Sequence, residues 1–247
     1  MLSKNQIKFI SSLKQKKFRE EHHLFIAEGN KVVLELLRSE IKIKQVFATV
    51  DFLNKTKING SIDFLEVKPN EMERISALTT PSDVFAVCEI PTYKLNTDTL
   101  KGKLTLVLDD IKDPGNLGTI IRIADWFGIS NILCSVNTAD AFNPKVVQAT
   151  MGSISRVKVH YMDLIELFKV ESLKFKVFGA LLEGENIYTK QLPSEGLIVI
   201  GNESKGIAES LLSYITDKIS IPSFSAETES LNAAIATAII CSEFRRR

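Results

Sequence analysis

Apolar and polar positions alternate along the chain in two rhythms, one helical and one extended, and the order in which they come predicts an α/β protein. Over residues 30–39 (NKVVLELLRS), Val32, Val33, Leu36 and Leu37 are spaced for one face of a helix. Residues 45–50 (QVFATV) form the β-branched and aromatic run of a strand. A strand at 62–67, a helix at 69–78 opened by Pro69, and a strand at 84–90 complete a small α/β unit. Residues 91–103 (PTYKLNTDTLKGK) have Pro, Gly, Thr and Asn but no apolar period, which marks a linker.

From residue 104 the pattern restarts more strongly. LTLVL (104–108) is a continuous apolar run, as expected of a parallel strand covered on both faces, and a helical pattern follows in NLGTIIRIADWFG. Strands are predicted at NILCSV, RVKVHYM, FKVFGALL, LIVIG and KISIP. Helices are predicted at NPKVVQATM, at 163–172, near 207–214 and from about Ser230 onward. Strands alternating with helices of this length predict a doubly wound parallel sheet. The expected division is 1–95 for a first α/β domain, 96–103 for the linker and 104–247 for the second domain.

Composition narrows the class. The chain has 247 residues, 45% of them hydrophobic and 25% charged, which excludes a disordered or collagen-like protein. No apolar run is long enough to span a membrane, and the opening MLSKNQIKFISSLKQKKFR is interrupted by Lys too often for a signal-peptide core. A soluble, cytoplasmic protein is expected. Cys88, Cys134 and Cys241 lie far apart in apolar settings and make no zinc spacing with His22, His23 or His160, so buried reduced thiols are expected.

The net charge of +1 hides an uneven distribution. Residues 1–20 carry Lys4, Lys8, Lys14, Lys16, Lys17 and Arg19 against Glu20 alone, whereas residues 61–100 hold seven acidic and three basic side chains. The basic run reads either as a solvated helix face or as a phosphate-binding edge.

Three loops at the carboxyl ends of the predicted strands can carry chemistry. In DDIKDPGNLGTIIRIADWFG (109–128), Pro114, Gly115 and Gly118 suggest a tight strand-to-helix turn that presents Asn116. Arg122 stands among apolar neighbours there, which suggests a fixed anionic partner. In IVIGNESKGI (198–207), Gly201 and Gly206 have the spacing of a phosphate-cradling turn, but Ile207 and Ala208 stand where a Walker loop needs Lys and Ser/Thr. Glu203 is the carboxylate of that turn. In the segment from Ile219 to the end, Ser230 is the expected N-cap of the last helix and Asn232 lies in its first turn. Ala233, Ala234, Ala236 and Ala238 would admit a close neighbour, and three arginines end the chain.

In order and spacing, GNLGTIIRIADWFG, IVIGNESKGI and ISIPSFSAETESLNAAIA resemble the three signature motifs of the SpoU (TrmH-type) RNA ribose 2′-O-methyltransferases of the SPOUT superfamily. FIAEGNKVVLELL, with basic residues before it, resembles the substrate-binding domain that many members carry. The resemblance implies a trefoil-knotted C-terminal domain, a homodimer with the last helix in its interface, and S-adenosyl-L-methionine as cofactor. By the same resemblance Ile200, Gly201, Ile221 and Leu231 would contact the cofactor, and Asn116, Arg122, Glu203, Ser230 and Asn232 match the catalytic set. Lys14, Lys16, Lys17 and Arg19 are the expected RNA contacts, with ribosomal RNA preferred over transfer RNA as substrate and no metal required. The competing readings are a noncatalytic RNA-binding protein that keeps the fold and a nucleotide-dependent oxidoreductase. The missing GxGxxG pattern counts against the second.

Overall fold

The computed structural model describes residues 1–56, 63–169, 175–225 and 230–246. The start of the strand expected at 62–67 and the end of the helix expected at 163–172 lie outside these residues.

The first half runs α1 (Lys4–Ser12), α2 (Lys16–His22), β1 (Leu24–Glu28), α3 (Asn30–Leu37), β2 (Ile43–Ala48), α4 (Val50–Lys55), β3 (Phe64–Glu66), α5 (Pro69–Ile75) and β4 (Val84–Glu89). The second continues with β5 (Leu104–Leu108), α6 (Pro114–Trp126), β6 (Asn131–Ser135), α7 (Pro144–Ala149), β7 (Lys158–Met162), α8 (Leu164–Lys169), β8 (Val177–Asn186), β9 (Gly196–Ile200), α9 (Glu209–Leu212), β10 (Asp217–Ser220) and α10 (Ala233–Arg245).

The chain divides into two compact units. One is Met1–Thr92 with Asp140–Ser155, and the other is Tyr93–Ala139 with Arg156–Arg247. The chain thus leaves the second unit between β6 and β7, packs α7 into the first unit and returns, a crossing absent from the linear division read in the sequence.

In the first unit the sheet order is β1-β4-β2-β3, with β4 antiparallel to both neighbours and β2 parallel to β3. The basic N-terminal run is not a separate edge, because apolar residues interleaved with its cations face inward. Leu2, Ile7, Ile10 and Leu13 are buried in one core with Met72, Ile75, Phe85 and Val87. Ser3 and Gln6 make a reciprocal capping box at the start of α1. Glu71 in α5 accepts from the amides of both Leu2 and Lys68. Those two amides and the Lys68 charge hold its carboxyl below the usual carboxylate range.

The excursion seals the other side of this unit. Phe142 packs on Phe25 with ring centroids 4.9 Å apart, and Gly152, at φ +98°, lies where a Cβ would strike the Glu35 side chain.

In the second unit all six strands are parallel, in the order β10-β8-β9-β5-β6-β7. The two central strands, LTLVL and GLIVI, are buried at every position, which explains why they read as unbroken apolar runs. The register of β8 against β10 slips between Lys218 and Ile219, and the far half of β8 stands in solvent. Of the four alanines in α10, Ala233 and Ala234 are buried within the chain itself, in a helix that packs against α6. Among the described residues no helix is long and apolar enough to cross a membrane.

Candidate active site

The loops after β5 and β9 and the start of α10 meet at the carboxyl ends of the parallel strands. The loop after β5 turns through Asp110 rather than a glycine. Asp110 takes the left-handed conformation at φ +61°, which a short polar side chain tolerates. Its amide donates to Ser135 Oγ at 2.8 Å and its carbonyl accepts from Asn202 Nδ2 at 2.8 Å. Pro114 and Gly115, expected to make the turn, instead open α6, with Asp113 as N-cap accepting from the Asn116 amide at 2.8 Å.

The loop after β9 closes on itself. Asn202 and Gly206 exchange two backbone hydrogen bonds of 2.9 Å, and Asn202 Oδ1 accepts from the amides of Ser204 and Lys205. A Cβ on Gly201 would fall 2.2 Å from the Gly206 carbonyl carbon, so this closure requires glycine at 201. Asp109, buried behind the loop, fixes its far end by accepting from the Ala208 amide at 2.8 Å.

Three of the five expected catalytic residues are joined. Asn232 Nδ2 donates to Asn116 Oδ1 at 2.9 Å, and Asn116 Nδ2 donates to Glu203 Oε1 at 2.9 Å. The direction of this relay is set at α10. Asn232 Oδ1 accepts from the amides of Ala234 and Ile235, which turns its NH₂ group toward Asn116. The Asn116 amide can then point only its own NH₂ at the carboxylate. Each amide nitrogen keeps a second hydrogen with no partner among the described residues.

The last helix therefore starts two residues later than expected. Asn232, not Ser230, is its N-cap, because the backbone becomes helical only at Ala233; Ser230 is exposed ahead of it. Arg122 is not part of the relay. Six residues beyond Asn116, it lies about 9 Å further along α6 and roughly 120° around its axis. It is exposed, and the anionic partner suggested by its apolar neighbours is not found among the described residues. Its immediate neighbours Ile120, Ile121 and Ala124 face the core, so the guanidinium takes the open side of the helix.

Of the expected cofactor positions, Ile200 and Gly201 lead into the loop that carries Glu203, and Leu231 adjoins Asn232. Ile200 is buried and its carbonyl accepts from the Asp109 amide, Gly201 and Ile221 are half-buried, and Leu231, next to the cap of α10, is 45% exposed. Half-buried Ile221 and exposed Leu231 offer aliphatic surface of the kind that suits the adenosine and methylene groups of S-adenosylmethionine.

The expected RNA contacts divide. Arg19 is 1% exposed: its guanidinium is bound to Asp140 and to the carbonyls of Leu13 and Lys14, so it is not available to RNA. Lys14 Nζ donates to the Ser76 carbonyl at 2.6 Å. Lys16 and Lys17 are exposed, Lys16 beside Glu20 at 3.6 Å and Lys17 over the Phe18 ring. The arginines at the chain end are also engaged. Arg245 caps the Phe127 carbonyl at the end of α6, and Arg246 pairs with Glu243; Arg247 lies outside the described residues.

Sequence reasoning passed over Asp109, Asp110, Asp113 and Asn202, which shape the two loops. Only Asp113 carried a readable signal, as an acidic N-cap directly before Pro114.

Comparison with known proteins shows the family. The SpoU rRNA methylase family matches residues 103–242, and the MRM3-like substrate binding domain matches residues 4–86. The 23S rRNA (guanosine(2553)-2′-O)-methyltransferase RlmP of Bacillus subtilis is 31% identical, over 98% of this chain and 97% of its own. A protein of the TrmH RNA methyltransferase family from Porphyromonas gingivalis superposes with a TM-score of 0.89 at 39% identity, covering 100% of this chain and 99% of its own. An rRNA methyltransferase from Sinorhizobium meliloti, solved with S-adenosylmethionine bound, gives 0.86 at 31% identity over 100% of this chain and 97% of its own. Fold and site together define an S-adenosylmethionine-dependent RNA ribose 2′-O-methyltransferase. The chain belongs to the SpoU rRNA methylase family, with the substrate-binding domain in front.

Proposed function

We infer that the protein methylates one ribose 2′-hydroxyl in large-subunit ribosomal RNA, and that it does so in the cytoplasm as a homodimer. The observation that carries this reading is the Asn232–Asn116–Glu203 relay, which joins all three signature segments at one point. The choice of RNA is supported by the end-to-end match to a 23S rRNA enzyme.

S-adenosylmethionine supplies an activated methyl group, and Ile200, Gly201, Ile221 and Leu231 would hold it. The chain's own task is to make a weakly acidic hydroxyl nucleophilic and to fix its direction. The spare N–H groups of Asn116 and Asn232 are pre-aimed donors for the oxygen as charge develops on it. Glu203 anchors the relay at its acceptor end. Arg122, permanently charged and on the open side of α6, clamps the phosphate next to the target ribose; that phosphate or a water takes the proton, since a guanidinium cannot. Ser230 would orient the ribose.

Dimerisation is supported by large apolar side chains left exposed on α6 and α10. Trp126 is 85% exposed and Ile235 52% exposed, and Ala238 and Ile239 lie beside Ile235 on the same side of α10. The trefoil threading belongs to the same reading, because the relay draws the segment before α10 against the loop after β9.

Mapping 2′-O-methyl groups in ribosomal RNA from cells with and without the gene tests the proposal, with methyl transfer to the unmodified RNA in vitro. One missing methyl group restored by the purified enzyme is expected. An unchanged map together with no transfer in vitro would overturn it, and transfer only to tRNA would replace the substrate.

A further inference from the structure

We propose that Phe224 is the platform on which an unstacked base of the RNA substrate is held beside the reacting ribose; the proposal rests on the ribose-methylation reading. Phe224 is 99% exposed, the most exposed large apolar side chain of the described residues. It lies three residues beyond Ile221, on the loop leaving the carboxyl end of β10, the same end of the sheet as the relay.

Its position is held locally. Ser223 Oγ donates to the Ser225 carbonyl at 2.9 Å and accepts from the Ser225 amide at 3.2 Å, closing a small ring across the Phe224 backbone. Ser220 Oγ ties the end of β10 to the Gly184 carbonyl at 3.0 Å, and on that adjoining part of β8 Leu182 is 80% exposed. Two large apolar side chains thus stand in water at the reaction end. Trp126 is exposed at the opposite end of α6, about 15 Å along the helix from Asn116, and belongs to another surface.

The chemistry of the substrate accounts for an apolar aromatic at this place. A target nucleotide in a single-stranded loop or bulge presents its base unstacked together with its 2′-hydroxyl, and proteins hold such bases on aromatic faces. Phenylalanine offers a ring and no hydrogen-bonding group, so it would select for an unstacked base without reading which base it is. Lys16 and Lys17 add charge only; neither can serve this purpose.

Steady-state kinetics on an RNA fragment carrying the mapped site test the proposal, using Phe224→Ala, Phe224→Leu and Phe224→Trp in the full-length protein. The Ala and Leu variants should raise the RNA KM about tenfold or more, and the Trp variant should stay near the parent. With 2-aminopurine at the target position, binding should brighten the probe in the parent, as its base is held out of the stack, and much less with Ala or Leu. S-adenosylmethionine affinity by calorimetry and the dimer mass should be unchanged throughout. An unchanged KM, Leu equal to Phe, a fall in cofactor affinity or dissociation of the dimer would each overturn the proposal. A parent enzyme that transfers no methyl group would instead overturn the reading on which it rests.

Discussion

Asn116 is the residue at which the three signature segments become one site. Its amide is the middle member of a relay whose polarity is fixed at both ends, by the cap of α10 on one side and by a carboxylate on the other. Asn116→Asp keeps the shape and removes the donor, setting two carboxylates against each other. We expect kcat to fall about 10²- to 10³-fold, the range for loss of one pre-aimed donor, with RNA KM little changed. A variant with near-parental kcat would remove the relay from the chemistry. Arg122 answers to a different measurement, because its role is to hold a phosphate. Arg122→Lys keeps the charge but loses the planar fork, so measurable kcat with a raised RNA KM is expected. Complete loss of turnover at every pH with RNA binding intact would count against the clamp. Away from the site, His160 is buried with Nε2 3.2 Å from Asn131 Oδ1 and the Tyr93 ring against it. Burial, and then the Lys158 charge, lower its pKa. The unfolded chain therefore takes up the proton first, near pH 6.5, and stability falls as the pH drops from there through the folded value. Thermal melts at pH 7.5 and 5.5 should show a larger drop for the parent than for His160→Gln, and equal drops would refute the assignment.

At the scale of elements, the central strands, α3 and the body of α6 were legible because burial on both faces or one face writes a clear period into the sequence. What was not legible depends on partners far apart in the chain. Ser230 had the right chemistry for an N-cap, yet Asn232 took the role because its amide also had Asn116 to bond. Arg19 sat in a run of cations and looked like one more phosphate ligand, while its partner Asp140 lies 121 residues away in the excursion. That pair, with the Leu13 and Lys14 carbonyls, satisfies a guanidinium that is wholly withdrawn from water. Removing Arg19 leaves the part-buried Asp140 carboxylate and two carbonyls without their donor, so Arg19→Leu should destabilise the protein by about 3 kcal/mol in urea titrations. Arg19→Leu combined with Asp140→Leu should recover much of the loss. A single variant within about 0.5 kcal/mol of the parent would mean that the pair is not closed in solution. The thiols, in contrast, followed expectation. All three are free and buried, and burial pushes Cys88 and Cys241 up to about 12.

On the scale of the whole molecule, a net charge of +1 must still be reconciled with a polyanionic substrate. The N-terminal run offers less than its count suggests, because Arg19 is sequestered, Lys14 is bonded to a carbonyl, and the apolar residues interleaved with the cations build the core of the first unit. Cutting away residues 1–20 would therefore remove Leu2, Ile7, Ile10 and Leu13 and unfold that unit, and any loss of RNA binding would say nothing about charge. Substituting the exposed pair is the sound experiment. Lys16→Gln with Lys17→Gln leaves the apolar positions alone and removes two cations per protomer, or four in a dimer. If both meet phosphate, the slope of log affinity for RNA against log salt should become shallower by about one for each phosphate no longer neutralised. S-adenosylmethionine binding and the melting temperature should not move. An unaltered slope would place the phosphate-binding cations elsewhere, with Arg122 the first residue to test in the same titration.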